Sequence, residues 1–183
     1  VKSRVPVAQW LVAVLLLMVA HAASAQRRDD PLTNEEINQL RDTAVEPELR
    51  MKLYVEFARA RLVALEQMRA DPKKANERGF ETHRMLEDFL AIYDELDDNL
   101  ENFEKRRDDL RKALQFVIAG DTEFQAKLRA LKDAAAAKPN EVREYEVLLS
   151  DVIETVDSSA DDHRKLLAEQ IEFYKKKKKA PKS

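Results

Sequence analysis

Residues 86–117 read LEDFLAIYDELDDNLENFEKRRDDLRKALQFV. Leu86, Phe89, Tyr93, Leu96, Leu100, Phe103, Arg107, Leu110, Leu114 and Val117 alternate spacings of three and four. That is a heptad seam, the pattern by which a helix keeps one apolar stripe against a partner. The same phase continues through Asp121, Phe124, Leu128, Leu131 and Ala135. A second seam follows Pro139-Asn140, through Val142, Tyr145, Leu149, Val152, Val156, Ser159, His163, Leu166, Gln170 and Phe173.

The unbroken phase predicts a continuous helix over about 80–137, roughly 87 Å long at 1.5 Å per residue, with Gly120 inside it. The competing reading breaks the chain at Gly120-Asp121 and stacks the pieces as a compact four-helix bundle. A hairpin centred near Pro139-Asn140 sets the antiparallel register: facing residue numbers should sum to about 280. Leu128 would then lie by Val152, Asp121 by Ser159, Val117 by His163, Leu110 by Gln170 and Arg107 by Phe173, so that the polar members of the two seams gather. A mixed polar layer of that kind can fix register at some cost in stability.

Working toward the N-terminus, Met51, Tyr54, Ala58, Leu62, Leu65 and Met68 form one stripe over about 47–70, widened by Leu49, Leu53 and Phe57. Pro47 suits the first helical position, and Asp71-Pro72 ends the segment. Before it, Leu32-Thr33-Asn34-Glu35-Glu36-Ile37 predicts a short helix over about 34–43: Thr33 caps the Glu36 amide, Glu36 reaches back, and Leu32 and Ile37 staple the start.

The first 25 residues read as a secretory signal peptide. Lys2 and Arg4 begin it, Val7–Ala20 holds the apolar run, and Ala23-Ser24-Ala25 is a small-x-small cleavage site. The expected organisation is therefore a leader over 1–25, one helical bundle domain over 26–174, and a lysine-rich tail over 175–183. The expected location is periplasmic, or secreted, after cleavage near Ala25, with no transmembrane span in the mature chain. The fold class is all-α: an elongated antiparallel helical bundle, or coiled-coil hairpins, on long heptad-patterned helices.

Composition agrees. The 183 residues are 44% hydrophobic and 37% charged with only two glycines, a balance that suits long helices and few turns. Past residue 25 the chain carries 30 basic and 35 acidic side chains, which argues against a general nucleic-acid binder. It has no cysteine, so disulfides and thiolate chemistry are excluded.

Catalytic constellations are sparse. His83 and His163 are the histidines beyond the leader. Neither has an acid three residues earlier, so the Glu-x-x-His pattern of di-iron bundles is missing. His83 and Glu87 stand one turn apart, close enough to share a metal, although a solvated helix face explains them as well. Asp94-Glu95-Leu96-Asp97-Asp98 lacks the glycine and alternating ligands of a calcium loop. No enzyme activity, cofactor or metal site is expected.

Leu32-Thr33-Asn34-Glu35-Glu36 resembles the Leu-Thr-x-x-Gln motif of small helical periplasmic stress chaperones, with Glu36 at the Gln position. The resemblance covers five residues, which a capping box also explains, and it implies no more than an exported, cysteine-poor helical protein.

The expected function is a non-catalytic protein–protein interaction or structural adaptor module of the cell envelope, engaging a protein partner or a second copy of itself. Its motive is apolar surplus outside the seam: Met85, Leu90, Ile92, Phe116 and Ile118. Two alternatives stand beside it, a periplasmic chaperone-like holder of unfolded proteins and a binder of an anionic envelope surface. The second would act through Lys175, Lys176, Lys177, Lys178, Lys179 and Lys182, since clustered lysines attract anions. Lysines also suit a helix C-terminus by opposing its dipole.

Overall fold

The computed structural model describes residues 30–135 and 139–179. The leader expected over 1–25 and Lys182 lie outside the described residues. Within them the chain is all-α, six α-helices packing on one another with no strand. They are α1 (Asn34–Asp42), α2 (Pro47–Ala70), α3 (Arg78–Lys105), α4 (Arg111–Ala135), the single turn α5 (Pro139–Val142) and α6 (Glu146–Lys179), with a 3-10 turn, Pro72–Lys74, between α2 and α3.

The start of α1 is the expected capping box: the Glu36 amide donates to Thr33 Oγ1 at 3.2 Å and the Thr33 amide to Glu36 Oε2 at 2.7 Å. Leu32 is buried and Ile37 packs against the same core. Arg61 of α2 then grips the Glu36 carboxylate through both terminal nitrogens, at 2.9 and 2.6 Å. The motif thus fastens α1 to α2. Partial burial pushes the Glu36 carboxyl up, but the Arg61 guanidinium and the Thr33 amide outweigh it and hold it below its ordinary value.

Neither expected form of the long helix is correct. The chain reverses at Arg106–Leu110, between α3 and α4, and Gly120 lies inside α4. The stop is a Schellman motif. Arg106 is the C-cap, Arg107 takes a left-handed φ of 63°, its amide bonds to the Glu104 carbonyl at 2.8 Å, and the Asp108 amide bonds to the Phe103 carbonyl at 3.1 Å. Asp109 opens α4 by accepting from the Arg111 amide at 3.2 Å. Five residues of turn return Leu110 to the core on the beat a heptad would have used, and Arg107 alone of that stretch of seam is exposed.

Gly120 serves close packing rather than a break. A Cβ there would stand 2.8 Å from Val55 Cγ1, so α2 and α4 can approach this closely only over a residue with no side chain.

Four helix pairs make the bundle: α2 with α3, α4 with α6, α2 with α4, and α3 with α6. Cross-contacts give the directions. Arg50–Asn99, Tyr54–Glu95 and Arg69–Thr82 run antiparallel between α2 and α3. Lys112–Glu48, Arg59–Glu123 and Lys127–Glu66 run parallel between α2 and α4. Between α4 and α6, Leu110–Gln170, Gln125–Asp157 and Asp121–His163 are antiparallel, with residue numbers summing to between 280 and 284. The register is the expected one to within a turn. Helices α3 and α4, joined directly in sequence, therefore face each other across the bundle's diagonal, and Phe89 and Tyr93 of α3 reach over to pack edge-on against Phe124 of α4.

This arrangement also covers most of the apolar surplus. Ile92 is buried, and Met85, Leu90 and Ile118 pack against the core. Each of α3 and α4 has two flanking helices and so buries more than one stripe. Phe116 alone of the five stays exposed.

Candidate functional site

Three features stand out chemically: a buried ionic network at mid-bundle, a groove at the end where α3 and α6 finish, and the lysine run beside that groove.

The network is the polar layer of the two seams. His163 Nδ1 lies 2.9 Å from Asp121 Oδ2, and Nε2 lies 3.0 Å from Asp97 Oδ1. Tyr93 donates its hydroxyl to Asp121 Oδ1 at 2.8 Å, and Ser159 to Asp97 Oδ2 at 2.6 Å. Burial of the imidazole disfavours its charge, but hydrogen bonds to Asp121 and Asp97 overcome this and raise its pKa to about 9. His163 is accordingly an imidazolium clamped between two carboxylates, both ring nitrogens committed as donors. Burial, with Asp121 and Asp97 nearby, drives the Tyr93 phenol far above its ordinary value.

Although it contains Ser, His and Asp, this is not a nucleophile's geometry: Ser159 donates to Asp97, and His163 has no lone pair to receive a proton. A cleft of about 330 Å³ adjoins it, lined by Asp97, Glu101, Glu104, Ser159, Asp162, His163 and Glu169 among others.

Sequence reading gathered Asp121, Ser159 and His163 correctly but missed Asp97. Asp97 sits one residue off the seam, in the acidic stretch 94–98, and its side chain is 31% exposed. Another polar seam residue, Gln170, accepts the Leu110 amide at 3.4 Å and so helps satisfy the α3–α4 reversal. His83 Nε2 lies 3.7 Å from Glu87, and its Nδ1 lies 2.8 Å from the Glu144 carbonyl. Among the described residues, no three His, Asp or Glu side chains converge to hold a metal ion.

The groove follows from the topology. Helices α2 and α6 each lie on α4 but are not a packed pair, so a furrow of about 920 Å³ opens over the first turns of α4. Val45, Pro47 and Leu49 line one side and Leu167 and Ile171 the other, with Glu46, Glu48, Asp109, Arg111, Lys112 and Gln115 around them. Val45 is 71% exposed, Leu49 and Ile171 45% each. Leu49 was assigned to the covered stripe of α2. It falls on the furrow side because α6 stops short of meeting α2.

The lysines are not a separate tail. Helix α6 continues through Lys179, so Lys175, Lys176, Lys177, Lys178 and Lys179 are all helical. Lys175 pairs with Glu172 at 3.3 Å, and Lys177 lies over the Tyr174 ring. Among the described residues, no helix is long and apolar enough to cross a membrane. Comparison of the chain with protein-family models, with curated proteins and with solved structures finds no match.

Proposed function

We propose that the chain is an exported, non-catalytic interaction module of the cell envelope, whose furrow between α2 and α6 receives an amphipathic helical segment of a protein partner. The observation that carries this is the furrow itself. Val45, Leu49, Leu167 and Ile171 give it an apolar lining, and charges of both signs surround it. Fully burying an exposed large aliphatic side chain releases about 1.5–3 kcal/mol, so covering these partly exposed ones would release roughly half of that each, and grooves of this kind take the apolar face of a helix.

A photo-crosslinking residue in place of Leu49, compared with one in place of Lys132 outside the furrow, tests the reading in envelope fractions. A discrete adduct of one mass, from Leu49 only and weakened by Ile171→Asp, is the expected result. Adducts equal at both positions, or none, would remove the reading. An adduct at twice the chain mass, matched by a dimer in light scattering, would make the partner a second copy.

A holder of unfolded chains is the second reading, favoured by the same open, charge-rimmed furrow. It predicts many adduct masses rather than one, and suppressed aggregation of a chemically unfolded test protein.

A further inference from the structure

The fold brings two basic runs to one end of the bundle that the sequence keeps more than 60 residues apart. Residues 105–112, KRRDDLRK, carry five basic and two acidic side chains, and residues 175–179 are five lysines. Together they hold a formal +8 in a chain whose total is −3. Because α3 and α6 run parallel, both finish at this end, and α4 starts there. The Arg111 guanidinium stacks 4.4 Å above the Tyr174 ring, fixing the two runs against each other. A recess of about 410 Å³ between them is lined by Arg111, Tyr174, Lys177 and Lys178.

Acidic neighbours neutralise only part of this charge. Glu101 pairs with Lys105, Asp108 with Arg106, Asp109 with Arg111, Glu48 with Lys112 and Glu172 with Lys175. Among the described residues, no ion pair engages Arg107, Lys176, Lys177 or Lys178. Amid these cations Phe173 is 54% exposed, and its ring meets Tyr174 edge-on.

We propose that this end of the bundle docks on the surface of an anionic lipid bilayer, with the lysine run and the 105–112 turn acting as one cationic patch and Phe173 entering the headgroup boundary. A soluble polyanion would use the cations but gain nothing from an exposed phenyl ring. A bilayer uses both, because interfacial binding adds apolar insertion to electrostatic attraction. The recess over Arg111 is where a headgroup phosphate would sit, between a guanidinium and two ammonium groups. The sequence pointed to the lysines alone. The turn, the recess and the orientation, end-on to the membrane, come from the fold. The patch shares Arg111 and Lys112 with the rim of the furrow but none of its aliphatic lining, and Lys105, Arg107 and Phe173 lie outside the furrow, so this inference goes beyond the partner-binding reading and can fail without it.

The test uses the chain from Gln26 onward, which contains the whole packed unit Pro31–Ser183, in vesicle flotation with phosphatidylglycerol–phosphatidylcholine mixtures and with pure phosphatidylcholine. Binding should appear only on the anionic vesicles and fade with salt. Lys105→Gln with Arg107→Asn leaves every lysine of α6 in place, and Asn tolerates the left-handed φ. Since each cation near such a surface is worth roughly five-fold, this pair should weaken binding about ten-fold or more, with helicity unchanged by circular dichroism. Phe173→Ser should weaken vesicle binding while leaving binding to dextran sulfate unaltered. Undiminished vesicle binding in the turn variant would overturn the joint patch. Equal loss on both ligands with Phe173→Ser, or equal binding to neutral vesicles, would overturn the bilayer as its target.

Discussion

Asp121 Oδ2 receives the Nδ1 proton of His163 at 2.9 Å, and the other oxygen of the same carboxylate receives the Tyr93 hydroxyl at 2.8 Å. Asp121 is fully buried, so its charge is tolerated only while these donors stay in place. Removing one partner of such a pair costs about 3–5 kcal/mol, because the other charge is left uncompensated. His163→Ala should therefore lower the unfolding free energy by about that amount in urea titration, whereas loss of an exposed pair such as Lys105–Glu101 should cost under about 1 kcal/mol. Equal effects would show that the network does not hold the bundle.

The same contact sets an alkaline limit. The His163 pKa is raised from 6.5 to about 9 on folding, so the folded state binds the proton more tightly than the unfolded chain. Its contribution is complete below about pH 6.5 and is lost as pH rises through about 9. The groups facing the ring are Asp97 of α3, Asp121 of α4 and, through Asp97, Ser159 of α6. Stability should fall between pH 6.5 and 9 in the native chain and not in His163→Gln. An imidazole proton resonance titrating near 6.5 would contradict the arrangement.

At the acid side Glu36 supplies the opposite sign. Its folded pKa lies below the ordinary 4.5, so its contribution is present above that value and disappears as pH falls through the folded one. Glu36→Gln keeps a capping side chain but not the charge that Arg61 grips. The variant should lose stability at neutral pH and show a flatter acid limb. A native limb identical to the variant's would mean that the Arg61 contact is not formed in solution.

Much of this molecule was legible in its sequence, and the failure is instructive. The capping box at Thr33, the start at Pro47, the core stripe of α2 and the antiparallel register of α4 with α6 could all be read from spacing, because burial imposes period and caps impose residue type. The α3–α4 reversal could not. Phe103, Arg107 and Leu110 keep four-and-three spacing whether the chain runs on as helix or turns back, so the seam is blind to the difference. Charge was the better signal: Lys105-Arg106-Arg107 suits a helix C-terminus and Asp108-Asp109 the start of the next. An arginine on an apolar seam marked the same spot. The favoured expectation that Gly120 lies inside a helix holds, but its use, the close approach of Val55, depends on a partner helix that spacing along one chain segment does not show.

Arg107 pays a conformational penalty at φ 63°, since a Cβ in the left-handed region costs about 1 kcal/mol or more. Arg107→Gly should raise the urea midpoint, a gain of up to about 1 kcal/mol. Arg107→Val should lower it, because a β-branched side chain fits that region worst. A destabilised Gly variant with a stabilised Val variant would mean that α3 and α4 join.

Gly120→Ala separates packing from propensity. Alanine in a helix is worth about 1 kcal/mol over glycine, but its Cβ would press on Val55 Cγ1 at 2.8 Å, and overpacking costs about 1–3 kcal/mol. The net change should be destabilising. Val55→Ala removes the obstructing methyl groups, so the double variant should be more stable than the sum of the two single changes implies, a coupling expected only between residues in contact. Strict additivity, or stabilisation by Gly120→Ala alone, would place α2 further from α4 and remove the reason for a glycine at this position.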